Sequence, residues 1–211
     1  MSSIEHLSGH HGDFAAFRDC MVETSEGRFG PLWWGVWDQF MGSPESVVDL
    51  GTGPGLLLPK LRERLPNAEI TGVDMQPLML ETARQSATRA RARLITADLA
   101  ETLPIESDSV DAVTLVMVFH ELEHPPPLLD EVFRILRPGG RVLMYDWVKR
   151  PLEDYLGDKE LDLGTMQHFR EHCLFSDEDL DFLMRRAGLT VLERIGRRGG
   201  RFAMLCGEKP A

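Results

Sequence analysis

Asp49, Gly51, Gly53 and Gly55 stand on alternate positions of VVDLGTGPGLLLPKLRERLPNAEITGVD, residues 47–74, and Asp74 closes the stretch. Glycine lets backbone approach a ligand that a Cβ would keep away. A helix that follows such a turn points free N–H groups and a partial positive charge at it. An acid at the end of the next strand can hold both hydroxyls of a ribose. The dinucleotide turn, G-x-G-x-x-G, has its third glycine one residue later than Gly55. It also has no use for an acid such as Asp49, because a pyrophosphate gains nothing from a carboxylate beside it. A ligand with an amino-acid end gains from one, since it carries an ammonium. These residues therefore suit a nucleoside with an amino-acid tail.

A second group lies further on. His120-Glu121-Leu122-Glu123-His124 has the H-E-x-x-H spacing of zinc hydrolases, which need both histidines on one face of a helix. Pro125 pushes His124 out of the α region, so that helix is not expected and no metal site is assigned. In an open parallel sheet, ligands bind beyond the carboxyl ends of the strands. His120 and Glu121 follow directly on a strand pattern there, which makes both candidates for catalysis. His120 could act as general base or orient an acceptor hydroxyl. The plainer alternative has His120 bonding a loop carbonyl and Glu121 capping the next helix. Trp33, Trp34 and Trp37 share one side of a helix and serve either as a pocket wall or as core. Tyr145 and Asp146, at the end of another strand pattern, could also face a pocket.

The elements that must position these groups alternate. Residues 47–50, 70–73, 93–96, 110–118 and 141–146 read as buried strands, and 56–65, 77–91 and 127–136 as the helices between most of them. Such alternation implies parallel strands with right-handed crossovers. The connection 100–107 is turn-rich and shows no helix. Ser176 begins a capping box with Asp179 in place of Glu, opening a helix that runs to Gly188. Two runs, 189–195 and 202–207, flank Arg197-Arg198-Gly199-Gly200 as a hairpin. Near the N-terminus, residues 1–12 read as loosely attached, 14–24 as a helix capped by Asp13, and 32–41 as a tryptophan-rich helix. The expected division is an N-terminal helical cap, 1–43, and a single globular unit, 44–211. Residues 147–175 are irregular and could carry a lid, with His168 and His172 at helical spacing within them.

Composition narrows the function classes. The 211 residues suffice for one α/β domain, and 43% apolar with 27% charged residues is ordinary for a globule. A net charge of −11 disfavours nucleic acid as partner. Cys20, Cys173 and Cys206 are odd in number and far apart, which suggests neither a disulfide framework nor a zinc cluster. The N-terminus lacks the apolar core of a signal peptide, and no run is long enough to span a membrane. A reducing cytoplasm fits these features, and the sequence also admits a homodimer.

The form D-x-G-x-G-x-G, with a strand-terminal acid some 20 residues on, resembles the class I S-adenosylmethionine (SAM) dependent methyltransferases. Within them it is similar to the small-molecule, type 11 and ubiquinone-biosynthesis-like group. The resemblance runs over residues 44–150 and takes in LITAD, SVDAVTLVMVF and the Arg-Pro-Gly-Gly turn of LLDEVFRILRPGGRVLMYDW. It implies a Rossmann-like, doubly wound, seven-stranded and mostly parallel sheet ending in an antiparallel hairpin. It implies SAM as cofactor, S-adenosylhomocysteine as product, and a small-molecule methyl acceptor. Asp49, Gly51, Thr52 and Gly53 would cradle the methionine part, and Gly55 would pack the helix on the sheet. Asp74 would bind the ribose, Met75 would cover the adenine, and Asp98 with Leu99 would read its edge. Val116 and Phe119 would bound the segment passing the sulfonium. Trp33, Trp34 and Tyr145 are the candidates for the acceptor side. Other transfers from SAM, a non-catalytic SAM-binding module and an NAD-dependent oxidoreductase are the alternatives, the last disfavoured by the glycine spacing.

Overall fold

Seven strands form one sheet in the order β3-β2-β1-β4-β5-β7-β6. They are β1 Ser46–Leu50, β2 Glu69–Asp74, β3 Arg93–Thr96, β4 Val110–Val116, β5 Leu136–Trp147, β6 Thr190–Arg197 and β7 Phe202–Glu208. The first five pair in parallel, and β7 runs antiparallel to both β5 and β6. The helices are α1 Phe14–Arg28, α2 Pro31–Val36, α3 Leu57–Arg64, α4 Pro77–Ala90, α5 Pro126–Ile135, α6 Leu152–Leu156 and α7 Asp177–Arg186. The computed structural model describes residues 3, 13–156, 162, 163, 166, 167, 170, 175–197 and 201–211. The remainder of the N-terminal tail, His168, His172, Cys173 and the hairpin turn 198–200 lie outside the described residues.

Strand alternation builds two cores. Val48, Leu50, Val142 and Met144 face one side, under Leu128, Leu129 and Val132 of α5 and Leu180 and Met184 of α7. Val47, Leu143, Tyr145 and Met204 face the other, with Leu57, Leu58 and Leu61 of α3 and with Trp33 and Trp37. The tryptophans thus complete the core of the sheet. The helix expected over 32–41 is α2 followed by a wider π turn, Trp37–Met41, which Gly42 ends at φ +65°.

Several boundaries differ from the sequence reading for local reasons. α1 runs on to Arg28, and α2 starts only at Pro31, which has no N–H to lose at a first turn. β4 ends at Val116 because Met117 takes φ +59°. β5 is longer than expected and carries the Arg-Pro-Gly-Gly segment inside it, with a bulge between its pairings to Val110 and Ala112. The capping box is present, with Ser176 Oγ accepting from the Asp179 N–H and the Asp179 side chain accepting from the Ser176 N–H. The helix-free link between β3 and β4 is held from α5. Arg134 donates to the carbonyls of Leu103 and Ile105, and Glu131 accepts from the Leu103 N–H.

Candidate functional site

β1 runs straight into a turn that bends through Gly51 at φ +70° and Gly53 at φ +51°. A Cβ on Gly51 would lie 2.2 Å from Val118 Cγ2, and one on Gly53 2.8 Å from Met21 Cε. No side chain fits at Gly51, so the exit of β4 can close against the turn. A Cβ on Gly55 would lie 3.0 Å from the Ala83 Cβ of α4. The N–H groups of Gly51 and Thr52 donate to the Val73 carbonyl at 2.8 and 2.9 Å. Asp74 ties the two βα turns together: Oδ2 accepts from the Gly53 N–H and Oδ1 from the Gln76 N–H, both at 2.8 Å. Burial pushes the Asp74 carboxyl above its ordinary pKa, against the pull of those N–H donors.

Two cavities meet at this turn. The larger, about 80 Å³, lies over Gly51 and Gly53 and takes in Asp74, Met75, Leu99, Met117, Val118 and Glu121. The smaller, about 20 Å³, takes in Asp49, Thr52, Val116 and Arg28. Met21 borders both and stands between them. Phe14, Phe17 and Met21 share one face of α1, which roofs the larger cavity. Arg28, at the end of α1, donates to Thr24 Oγ1 at 2.7 Å. Asp49 is only 3% exposed and accepts from the Thr114 hydroxyl at 2.6 Å. Burial pushes its carboxyl up to about 6. No ion pair to Asp49 exists among the described residues, so an ammonium arriving beside it would offset that burial.

The end of β4 is built differently. Met117 holds a left-handed backbone, with its N–H donating to the Tyr145 carbonyl at 2.7 Å. The turn sends Val118 toward Gly51 and Phe119 into the core, where Phe119 is 1% exposed and 6.0 Å from the Phe175 ring. A single 3₁₀ turn, Phe119–Glu121, follows. Asp146, 1% exposed, binds it from β5: Oδ2 accepts from the Val118 and Phe119 N–H groups, and Oδ1 lies 2.5 Å from His120 Nδ1. His120 Nε2 lies 3.0 Å from Glu121 Oε1. Each ring nitrogen faces a carboxylate, so both carry hydrogens and the ring is an imidazolium. Burial alone would lower its pKa, but Asp146 and Glu121 together push it up to about 10. An imidazolium has no lone pair, so the general-base role expected of His120 does not fit this geometry.

Other expectations are redistributed. Leu99 lines the larger cavity, whereas Asp98 is not among its lining residues and accepts from the Ala100 N–H at 2.9 Å. Val116 borders the smaller cavity, and Met117 with Val118 replace Phe119 at the wall. Trp33 is fully buried against Phe29 and Tyr145, and Trp34 carries the Arg64 guanidinium 5.2 Å from its ring centroid. None of Trp33, Trp34 and Tyr145 lines either cavity. The wall sought among the tryptophans comes from α1, whose Phe14, Phe17 and Met21 were legible as an i, i+3, i+7 stripe. The H-E-x-x-H histidines share no helix, since the chain is extended at Leu122. Among the described residues no cluster of three metal-ligating side chains occurs, and no helix is long and apolar enough to cross a membrane.

Residues 48–144 match the family described as the methyltransferase domain. The chain is 37% identical over 111 residues to a demethylmenaquinone methyltransferase of Thermus thermophilus, covering 52% of this chain and 50% of that protein. It is 34% identical over 157 residues to an arsenite methyltransferase of Halobacterium salinarum, covering 72% of this chain and 39% of the relative. It thus spans half or less of the length of these curated relatives. Among solved structures it is similar to a SAM-dependent methyltransferase of Aquifex aeolicus, with a TM-score of 0.73, 19% identity and 93% and 98% of the two chains covered. It is also similar to a chain of the complex between the Haloferax volcanii Trm112 methyltransferase activator and a methyltransferase. There the TM-score is 0.76 at 21% identity, covering 95% of this chain and 97% of that one. At these identities the solved structures speak to the fold alone, a Rossmann-like α/β sheet with an antiparallel end.

Proposed function

We propose that the chain, whose residues 48–144 match the methyltransferase domain family, is a class I SAM-dependent methyltransferase that transfers a methyl group from SAM to a small-molecule acceptor. One observation carries the reading. Two adjoining cavities with Met21 between them each hold a carboxylate, Asp74 in the larger and Asp49 in the smaller, on either side of a glycine turn.

The residues present fit the cofactor. Asp74 has its backbone donors satisfied and would accept from ribose hydroxyls with its remaining lone pairs. Met75 and Leu99 would flank the adenine. Asp49 would take the ammonium, and Arg28 would take the carboxylate of the amino-acid end. When bound, SAM supplies an electrophilic methyl carbon whose bond to sulfur breaks with the electron pair left on sulfur. The chain contributes position and exclusion of water. Phe14, Phe17 and Met21 cover the crevice, and Met117, Val118 and Glu121 form its acceptor side.

Calorimetric titration of the full chain with SAM, S-adenosylhomocysteine and NAD tests the reading. Both adenosyl ligands should bind, and Asp74→Ala should weaken them by roughly 1–3 kcal/mol through loss of charge-assisted hydrogen bonds. Binding of NAD without SAM would overturn it. Transfer of labelled methyl from SAM to pools of small acceptors then identifies the substrate.

A further inference from the structure

One polar pair interrupts the apolar face that β1 and β4 turn toward α3. Asp49 stands opposite Thr114, two places on from the apolar pair Val47 and Ala112, so all four side chains project to that face. Beyond Thr114 the row continues with Leu143 of β5, and beyond Asp49 with Gly72 of β2. A Cβ on Gly72 would lie 2.9 Å from Thr52 Oγ1, so the bare glycine leaves room for the Thr52 side chain. Thr52 Oγ1 is buried and helps to lower the Asp49 pKa, but makes no hydrogen bond of ordinary geometry. The bond that holds the carboxylate is therefore the one from Thr114, at 2.6 Å between residues 0% and 3% exposed. Two apolar residues at these places would pack at less cost, since a buried carboxylate and a buried hydroxyl both need partners. The strand ladder already joins β1 to β4, so the pair has a use beyond holding them together.

We propose that Thr114 is a positioning residue for the cofactor: its hydroxyl fixes the Asp49 carboxylate from the sheet side, ready for the ammonium of the amino-acid end in the smaller cavity. This rests on the methyl-transfer reading above, which puts that ammonium beside Asp49. A carboxylate offers about four lone-pair sites, so one bond from Thr114 leaves the acceptor capacity that a ligand needs. The same bond favours the charged form of Asp49, the form that attracts an ammonium. Two other charged groups bear on it. Asp74, at the end of β2, raises its pKa, and Arg28, at the end of α1, lines the same cavity. α3 and β4 bring Leu57 and Val116 to that cavity, and β5 adds Leu143 and Tyr145 to that face of the sheet.

The test is calorimetric titration of the full chain with S-adenosylhomocysteine, which carries the same amino-acid end, from pH 5 to 8. Thr114→Val keeps the β-branched shape and removes the hydroxyl, and a thermal melt checks that the variant folds. At pH 7 it should bind about tenfold more weakly, through loss of one charge-assisted hydrogen bond. The rise of native affinity through about pH 6 should move to higher pH in this variant. Thr114→Ser keeps the donor and should bind within about threefold of native. A double-mutant cycle separates positioning from packing: once Asp49→Ala has removed the partner, Thr114→Val should cost less than about twofold more. Native affinity in Thr114→Val, an unmoved pH rise, a tenfold loss in Thr114→Ser, or an equal loss in the Asp49→Ala background overturns the proposal. Failure of the native chain to bind S-adenosylhomocysteine is a different result: it sinks the methyl-transfer reading itself and takes the proposal with it.

Discussion

The two halves of the crevice hold their shape by different means. On the β1–β2 side the working parts are backbone: glycines at positive φ, N–H groups of Gly53 and Gln76, and one carboxylate that gathers them. On the β4–β5 side they are side chains, with Asp146 reaching back 26 residues to His120 and His120 reaching Glu121. Backbone geometry suits a ligand part of fixed shape. A side-chain triad can be changed one residue at a time, which suits the part that meets a varying acceptor.

This contrast can be broken by substitution. The largest effect is expected at Asp146→Ala. Removing one partner leaves the other charges buried and uncompensated, so unfolding in denaturant should show a loss of about 3–5 kcal/mol. The folded fraction should still bind S-adenosylhomocysteine within about threefold of native. A loss below ~1 kcal/mol would mean that the triad does not hold the acceptor half. Gly51→Ala attacks the other half. It forces an L-residue to φ +70° and places a Cβ against Val118, so a cost of about 2–4 kcal/mol is expected, with loss of cofactor binding. Wild-type affinity in that variant would remove the glycine turn from the account.

Asp49→Asn separates binding from stability. Its carboxyl stands at about 6 in the folded chain against 3.8 as a free group. Between those values the native state holds a proton that the unfolded state has released. Stability therefore falls as pH rises from about 4 to 6 and stays lower above that. Asparagine removes the penalty, so Asp49→Asn should be more stable at pH 7, by at most about 3 kcal/mol, and should bind SAM more weakly. Native affinity for SAM should rise as pH passes upward through about 6, while the variant shows a flat profile; thermal melts and calorimetry across pH 5–8 check both. The smallest effect is expected at Trp34→Ala. Trp34 touches Arg64 and Trp37 and neither cavity, so SAM affinity should stay within about twofold. A tenfold loss would restore the tryptophan helix as a wall of the site.

Most of the sheet was legible, because parallel strands buried on both faces leave continuous apolar runs and the helices between them bury one apolar face each. The glycine turn with Asp49 and Asp74 was legible for a related reason: its parts are close in sequence and each residue type has one physical use there. The triad was only half legible. His120 and Glu121 are neighbours and drew attention, but the protonation of the ring depends on Asp146, whose approach is a consequence of β4 pairing with β5. The roof was misplaced by one helix. Three tryptophans outweigh Phe14, Phe17 and Met21 in any count of apolar surface, yet Trp33 and Trp37 are seated in the core with Tyr145 and Leu143, and Trp34 packs against its edge. Phe119 was misplaced because nothing local announces that Met117 takes a left-handed conformation.

The central claim is that one ligand lies across the glycine turn with a carboxylate at either extremity. Determining the structure of the full chain with S-adenosylhomocysteine tests it most directly. The account predicts ribose hydroxyls on Asp74, adenine between Met75 and Leu99, the ammonium on Asp49, and Met21 displaced from between the two cavities. Ligand bound elsewhere, or a crevice still divided by Met21 with Asp49 untouched, would contradict it.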